Sequence, residues 1–183
     1  MGSRSSYFYA DIFSYSHTPR SPFQICFLTM LYVFALTSEL GRLLYQLKTP
    51  DCCYIVYSNN IDHYLKMLLH DQPSRILGLG TYSGVDQDKI RVETVATNRF
   101  RNDSIEANAP VEININNYLE PSSENFKMAS ALGNSYCNLI SWKIMRLISD
   151  GSLKSKYSFL HIPKGLYHTD LISLIDRLLF SNS

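Results

Sequence analysis

Residues 132–138 have the sequence LGNSYCN, and residues 157–163 have the sequence YSFLHIP. The first stretch joins a glycine-containing turn to a helix, because Asn134 or Ser135 can act as an N-cap before apolar residues that recur at helical spacing. The second is an apolar run typical of a buried strand, and it carries His161 just before a proline. Together they indicate an α/β protein and place a cysteine and a histidine near the ends of neighbouring elements.

Cys137 would lie in the first turn of that helix, close to backbone N–H groups that have no partner within the helix. Their dipoles favour the thiolate, which is the nucleophilic form of cysteine. The same spacing also puts Cys137 on the apolar stripe of the helix, where a free cysteine often behaves as a small hydrophobe. His161 is equally open to two interpretations, as a functional group or as a core histidine bonded to a backbone carbonyl.

The start of the chain consists of a polar leader and the most apolar run of the sequence. Residues 1–22 are rich in Ser, Tyr and Arg, so we expect a disordered or loosely attached leader. Residues 23–36 are too short for a membrane-spanning helix, which needs about 20 apolar residues, and no clear Ala-x-Ala site supports a signal peptide. A buried first strand running into a loop is favoured, so the expected folded domain spans residues 23–183.

The rest of the chain alternates between helical and strand patterns. The expected elements are a helix capped by Thr37 or Ser38, a strand at 52–57, a helix opened by Asn60, strands at 75–80, 90–96, near 111–115, at 126–131 and at 157–162, and a closing helix from Thr169 or Asp170. Strand–helix–strand connections call for a parallel sheet covered by helices. The predicted fold is therefore a single three-layer α/β/α domain with a mostly parallel, twisted central sheet.

Two details of this pattern bear on function. Gly78, Gly80 and Gly84 resemble a dinucleotide-binding motif, but a strand and not a helix follows them, so we interpret them as turns. Within the strand at 90–96, alternation puts Glu93 on the same face as Arg91, which predicts an ordinary exposed carboxylate paired with that arginine.

Composition excludes several classes of protein. A chain of 183 residues with 45% hydrophobic residues suits one globular domain, and a net charge of +1 without a basic stripe argues against nucleic acid as a partner. The four cysteines form no disulfide framework, which favours a reducing, cytoplasmic setting. The histidines and cysteines have no metal-binding spacing, so no metal site is expected. Neither a membrane nor an organic cofactor is expected as a partner.

Three motifs resemble those of the pyroglutamyl peptidase I family, cysteine peptidases that remove an N-terminal pyroglutamyl residue. GNSYCN at 133–138 is similar to the family's Gly-Thr-Tyr-Val-Cys-Asn, and FLHIP at 159–163 to its Phe-Ile-His-Val-Pro. VETVATN at 92–98 is similar to Leu-Glu-Arg-Val-Ala-Ile-Asn. The motifs occur in the family's order, and the resemblance covers about residues 37 to 182.

This resemblance implies Cys137 as nucleophile, His161 as general base and then acid, and Glu93 as the group that orients the imidazole. The substrates would be N-terminally pyroglutamylated peptides, cleaved through a thioester without metal or cofactor. Because members of the family often self-associate, a homo-oligomer is compatible with the resemblance.

The chain departs from the family around the substrate. The loop that closes over the pyroglutamyl ring corresponds to residues 30–35, of which Phe34 matches clearly. Tyr136 stands where the family has a valine, Arg101 is a weak match for an arginine near the oxyanion, and the segment 102–130 is shorter than the family's. Phe34, Tyr136 and Arg101 are the expected substrate-binding residues.

These departures keep two alternatives open. One is an inactive or altered-specificity family member that acts as a binding protein. The other is a glutamine amidotransferase-like acyl transferase, although in that class the glutamate usually follows the histidine, whereas Glu93 precedes Cys137.

Overall fold

The computed structural model describes residues 30–84, 88–120, 124–130, 132–166 and 169–181. Its elements, in chain order, are β1 (Leu31–Ala35), α1 (Ser38–Leu44), β2 (Cys52–Ile55), α2 (Ile61–Asp71), β3 (Arg75–Tyr82), β4 (Ile90–Glu93), β5 (Val95–Thr97), β6 (Glu112–Asn114), β7 (Phe126–Ala129), α3 (Tyr136–Ser149), β8 (Lys156–Pro163), a 3₁₀ turn (Lys164–Leu166) and α4 (Thr169–Ser181). The predicted order of helices and strands is confirmed.

Six strands form one sheet in the order β2-β1-β3-β8-β4-β7. All neighbouring strands are parallel except β4 and β8, which are antiparallel. Strands β5 and β6 pair antiparallel in a separate ribbon. In this register His161 has Gly80 of β3 on one side and Arg91 of β4 on the other. The sheet therefore brings β3 and β4 against the strand that carries the histidine.

Helices cover both faces of the sheet, as the predicted three-layer α/β/α architecture requires. Leu160 and Ile162 of β8 pack on one face with residues of α1 and α4. Tyr157 and Phe159 pack on the opposite face with residues of α2 and α3. Because side chains alternate along a strand, His161 lies on the same face as Phe159, toward α3.

The helix ends follow local sequence signals. Thr37 is the N-cap of α1, and its Oγ1 accepts a hydrogen bond from Leu40 N at 3.3 Å. Ser135 is the N-cap residue of α3, but its side chain makes no capping hydrogen bond. None of the helices in the described part of the chain is long and apolar enough to cross a membrane.

Several expectations are wrong in detail. The strand expected at 90–96 is broken at Thr94 into β4 and β5, and Thr94 instead bonds to Ala129 O through its N and Oγ1. Gly78 and Gly80 lie inside β3 and not in turns. The strand expected within 23–36 is present as β1, Leu31–Ala35. Residues 1–29, which include the expected leader at 1–22, lie outside the described residues.

Candidate active site

Cys137 is the second residue of α3, and a tight turn leads the chain into that helix. Gly133 has a φ of 79°, in the left-handed region that glycine adopts without steric cost. Cys137 is half-buried at the start of the helix. Because the first-turn N–H groups of a helix have no intrahelical partner, the sulfur lies beside a set of hydrogen-bond donors.

Gly80 lies directly beneath Cys137 and His161. A Cβ atom on Gly80 would be 2.8 Å from Cys137 Sγ, 3.0 Å from His161 Cδ2 and 2.8 Å from Phe159 Cζ. The sulfur and the imidazole therefore meet over a position where only a hydrogen atom fits. Sequence reasoning missed this role, although a glycine inside a strand is itself a signal of close approach.

His161 and Glu93 form a buried pair. His161 Nδ1 lies 2.7 Å from Glu93 Oε1, and because a carboxylate only accepts hydrogen bonds, Nδ1 donates. Nε2 is then the ring nitrogen that faces Cys137, since it is bonded to the Cδ2 atom above Gly80. Glu93 is wholly buried and His161 is 6% exposed, so little water screens this pair.

The charge state of His161 follows from these contacts. Burial by itself lowers the pKa of the imidazole, but hydrogen bonds to Cys137 and Glu93 and the negative charges of those groups outweigh it and raise the pKa to about 9. At neutral pH the imidazole is therefore protonated.

Glu93 is not the exposed carboxylate that strand alternation predicts. It belongs to β4, which lies between β8 and β7 in the sheet, and its side chain is wholly buried. The predicted partner is nevertheless present, because Arg91 Nε lies 3.2 Å from Glu93 Oε1. The guanidinium carbon of Arg91 lies 4.4 Å from the ring centroid of Tyr82, whose ring is 6.1 Å from that of His161.

Asn138 fixes the chain segment beside Cys137. Its Nδ2 donates to the carbonyls of Thr97 at 2.9 Å and Arg99 at 2.6 Å, and its Oδ1 accepts from Thr97 N at 2.8 Å. The side chain is completely buried. Sequence reasoning noted Asn138 only as part of the cysteine motif and gave it no role, yet it joins the start of α3 to the end of β5.

Arg101 and Tyr136 meet in an exposed cluster next to the cysteine. Arg101 has a φ of 55°, and its backbone is held by hydrogen bonds with Asn134 at 2.8 and 2.9 Å. Its guanidinium carbon lies 5.2 Å from the ring centroid of Phe100 and 6.0 Å from that of Tyr136. Two of the three expected substrate-binding residues are therefore neighbours.

Phe34 does not join them. The stretch that was expected to correspond to a substrate loop is strand β1, and the ring of Phe34 is wholly buried, 5.2 Å from Tyr64 and 6.3 Å from Phe159 between centroids. An uninterrupted apolar run favours a buried central strand over a loop. Only Leu36 and Thr37 connect β1 to α1, so Phe34 is a core residue beneath the site.

An open cavity of about 510 Å³ adjoins the turn that precedes Cys137. Its lining includes Thr97, Asn98, Arg99, Asp103, Gly133 and Asn134. The cavity lies between polar loops, and its volume is large enough for a few residues of a peptide. Within the described ranges, no group of three or more His, Cys, Asp or Glu side chains is arranged to hold a metal ion.

Comparison with known proteins gives pyrrolidone carboxyl peptidases as structural neighbours. No protein-family model matches the sequence, and no curated protein matches it. Pyrrolidone carboxyl peptidase from Thermus thermophilus aligns over 84% of this chain and 99% of its own, with a TM-score of 0.64 and 14% identity. The enzyme from Thermococcus litoralis aligns over 84% and 92%, with a TM-score of 0.66 and 15% identity.

Pyroglutamyl peptidase I from Bacillus amyloliquefaciens aligns over 82% of this chain and 90% of its own, with a TM-score of 0.66 and 15% identity. At this level of identity, structural likeness speaks for the fold and not for the reaction. The described chain, with its mostly parallel sheet between two layers of helices, has the fold of the pyrrolidone carboxyl peptidases.

Proposed function

We propose that this protein is a cysteine peptidase that removes N-terminal pyroglutamyl residues from peptides. The observation that carries the proposal is the arrangement of Cys137 Sγ and His161 over Gly80, with Glu93 bonded to the far side of the imidazole. A thiolate, a protonated imidazole and a buried carboxylate in this order are the parts that acyl transfer needs. Solved enzymes of the same fold are pyroglutamyl peptidases by name, which supports the choice of substrate.

In the proposed reaction the thiolate of Cys137 attacks the carbonyl carbon of the pyroglutamyl residue. The oxygen becomes an oxyanion, which first-turn N–H groups of α3 would stabilise because they have no partner within the helix. The C–N bond then breaks while His161 gives its Nε2 proton to the leaving amine, so a thioester and a free peptide result. His161, now neutral, takes a proton from water as that water attacks the thioester, which releases pyroglutamate and restores the thiolate.

Glu93 is proposed to hold His161 in the productive tautomer. Because Nδ1 of His161 donates its hydrogen bond to Glu93, Nε2 is the nitrogen that exchanges a proton with the substrate. The carboxylate also favours the imidazolium form of His161. The cavity beside the turn before α3 would receive the leaving peptide, and the Arg101–Tyr136 cluster would flank it. Phe34 would act only indirectly, through its packing beneath Phe159.

The test is release of a fluorogenic amine from a pyroglutamyl amide, with a prolyl amide as control substrate. Cys137→Ala and His161→Ala are expected to abolish release while circular dichroism stays unchanged. Cys52→Ala is the matched control, because that cysteine lies in β2 and is expected to leave activity intact. The proposal would be falsified if the folded wild type, like the variants, released no amine from the pyroglutamyl amide.

A second candidate, an altered-specificity or non-catalytic binding protein, is favoured by one observation. The connection from β1 to α1 consists of Leu36 and Thr37 alone, so it offers little chain to enclose a substrate ring. Rapid alkylation of Cys137 at pH 6 relative to Cys52 and Cys53, without pyroglutamyl amidase activity, would support altered specificity. Equally slow alkylation of all four cysteines would support the binding protein. In Cys53, burial raises the pKa of the thiol to about 11, so it serves as an unreactive internal reference.

A further inference from the structure

Arg91 contacts the carboxylate oxygen that also holds His161. Arg91 Nε lies 3.2 Å from Glu93 Oε1, and His161 Nδ1 lies 2.7 Å from the same atom. Arg91 and His161 are directly opposite each other on antiparallel β4 and β8. The contact of Arg91 is an ion pair, because neither its Nε nor the second carboxylate oxygen, Oε2, makes a hydrogen bond among the described residues, and both atoms are buried. The buried carboxylate of Glu93 is therefore paired through Oε1 alone, with His161 and Arg91.

The position of Arg91 is fixed by its surroundings. Its guanidinium carbon lies 4.4 Å above the ring of Tyr82, a cation–π contact, and the side chain is 18% exposed. Among the described residues, the charged and titratable groups around the His161 ring are Glu93 from β4, Tyr82 from β3 and Cys137 from α3, and Arg91 of β4 lies opposite His161 in the sheet and contacts Glu93. Among these groups Arg91 carries a positive charge that does not change during the reaction.

From this arrangement we infer that Arg91 is a positioning residue that offsets the charge of the Glu93 carboxylate while His161 gives up its proton. The inference rests on the proposed function, in which the imidazole becomes neutral as the leaving amine departs. Without Arg91, the buried carboxylate would then face a neutral ring, and an uncompensated buried charge is strongly unfavourable. His161 would hold its proton more tightly and become a poorer acid.

Arg91 lowers the pKa of His161, so its removal should raise that pKa. A neighbouring positive charge disfavours the imidazolium, and Arg91 also offsets part of the negative charge of Glu93 that stabilises it. Removing the guanidinium, which contacts the same Glu93 oxygen as the imidazole, therefore raises the pKa of His161 by about one pH unit. A merely structural role, in which Arg91 only packs against Tyr82, predicts no rise.

The experiment is an NMR titration of the imidazole of His161 in protein labelled at its histidines, with the resonance assigned from His161→Gln. Arg91→Met retains the aliphatic stem that packs on Tyr82 but loses the charge, and we expect the pKa of His161 to rise by about one unit. Arg91→Lys, which keeps the charge, should restore at least half of the difference. Arg42→Met removes an exposed arginine from α1, on the opposite face of the sheet, and should leave the titration unchanged.

The titration needs no substrate, so its outcome is independent of whether the pyroglutamyl amide is cleaved. An unchanged or lowered pKa of His161 in folded Arg91→Met would overturn the inference, as would an equal rise in Arg42→Met. If Arg91→Met does not fold, Arg91→Gln carries the same comparison with the same criteria. Where the amide is cleaved, the alkaline limb of kcat/KM should move to higher pH in Arg91→Met together with a lower kcat.

Discussion

Replacing Gly80 by alanine should displace Cys137 and His161 in a protein that remains folded. The new Cβ would lie 2.8 Å from Cys137 Sγ and 3.0 Å from His161 Cδ2, whereas ordinary contacts begin near 3.4 Å. The sulfur or strand β3 must therefore move by about 0.6 Å, and misplacement on the order of 1 Å can lower a rate about 100-fold. We expect kcat/KM for the pyroglutamyl amide to fall by between about 10- and 100-fold.

The same substitution also overpacks the sheet, and its cost can be measured independently. Extra methylene volume in a packed core typically costs about 1 to 3 kcal/mol, so the free energy of unfolding in urea should fall by about 2 kcal/mol. At 25 °C the variant should nevertheless remain folded, because single domains typically have about 5 to 15 kcal/mol of stability. Activity and the alkylation rate of Cys137 can then be compared at equal fractions of folded protein.

Two other glycines provide controls for Gly80→Ala. A Cβ on Gly165 would meet no atom within 4 Å, so Gly165→Ala should change neither stability nor activity. A Cβ on Gly78 would meet Phe159 and Phe34 in the core but not the cysteine, so Gly78→Ala should destabilise at least as much while lowering activity less. If folded Gly80→Ala alkylates and turns over at wild-type rates, Cys137 Sγ and His161 do not meet above Gly80 as described.

The remaining predictions concern the groups that support the site. Glu93→Gln removes a charge that raises the pKa of His161 above its ordinary 6.5, so the alkaline limb of kcat/KM, expected near pH 9 in the wild type, should move to lower pH in a pH–rate profile. Asn138→Ala leaves buried backbone groups unpaired and should lower the free energy of unfolding by about 3 kcal/mol, measured in urea; a loss below about 1 kcal/mol would contradict its clamping role. Ser141 Oγ and Tyr157 Oη form a buried hydrogen bond of 2.7 Å, so Ser141→Ala should cost about 1 to 3 kcal/mol. Adding Tyr157→Phe should recover part of that loss in a double-mutant cycle, and purely additive losses would argue against the bond.

The order of the elements and the start of α3 could be predicted because both depend on local signals. Caps such as Thr37 and Ser135, and apolar residues at helical or strand spacing, act within a few positions along the chain. The location of Cys137 in the first helical turn follows from the same signals. Alternation of helix and strand then leaves few arrangements other than a sheet between helical layers.

Resemblance of three short motifs singled out Glu93, Cys137 and His161, but the residues alone left each of them ambiguous. A cysteine on an apolar stripe, a histidine in a buried strand and a carboxylate on an alternating strand are all common in cores and on surfaces. Their proximity depends on strand order, which no local pattern specifies. For Glu93 the local pattern was wrong about exposure, because alternation shows which residues share a face and not whether that face is covered.

Taken by itself, the sequence determined the order of the helices and strands, the α/β class and the residue types available for acyl transfer, since these depend on neighbours along the chain. The tertiary structure alone decided that β4 runs antiparallel beside β8, so that His161 and Arg91 both contact Oε1 of Glu93. It also decided that Phe34 is a core residue and that Gly80 provides the space in which the sulfur and the imidazole meet. These features depend on contacts between segments far apart in sequence, and their energies are set by packing and burial that only the folded chain creates.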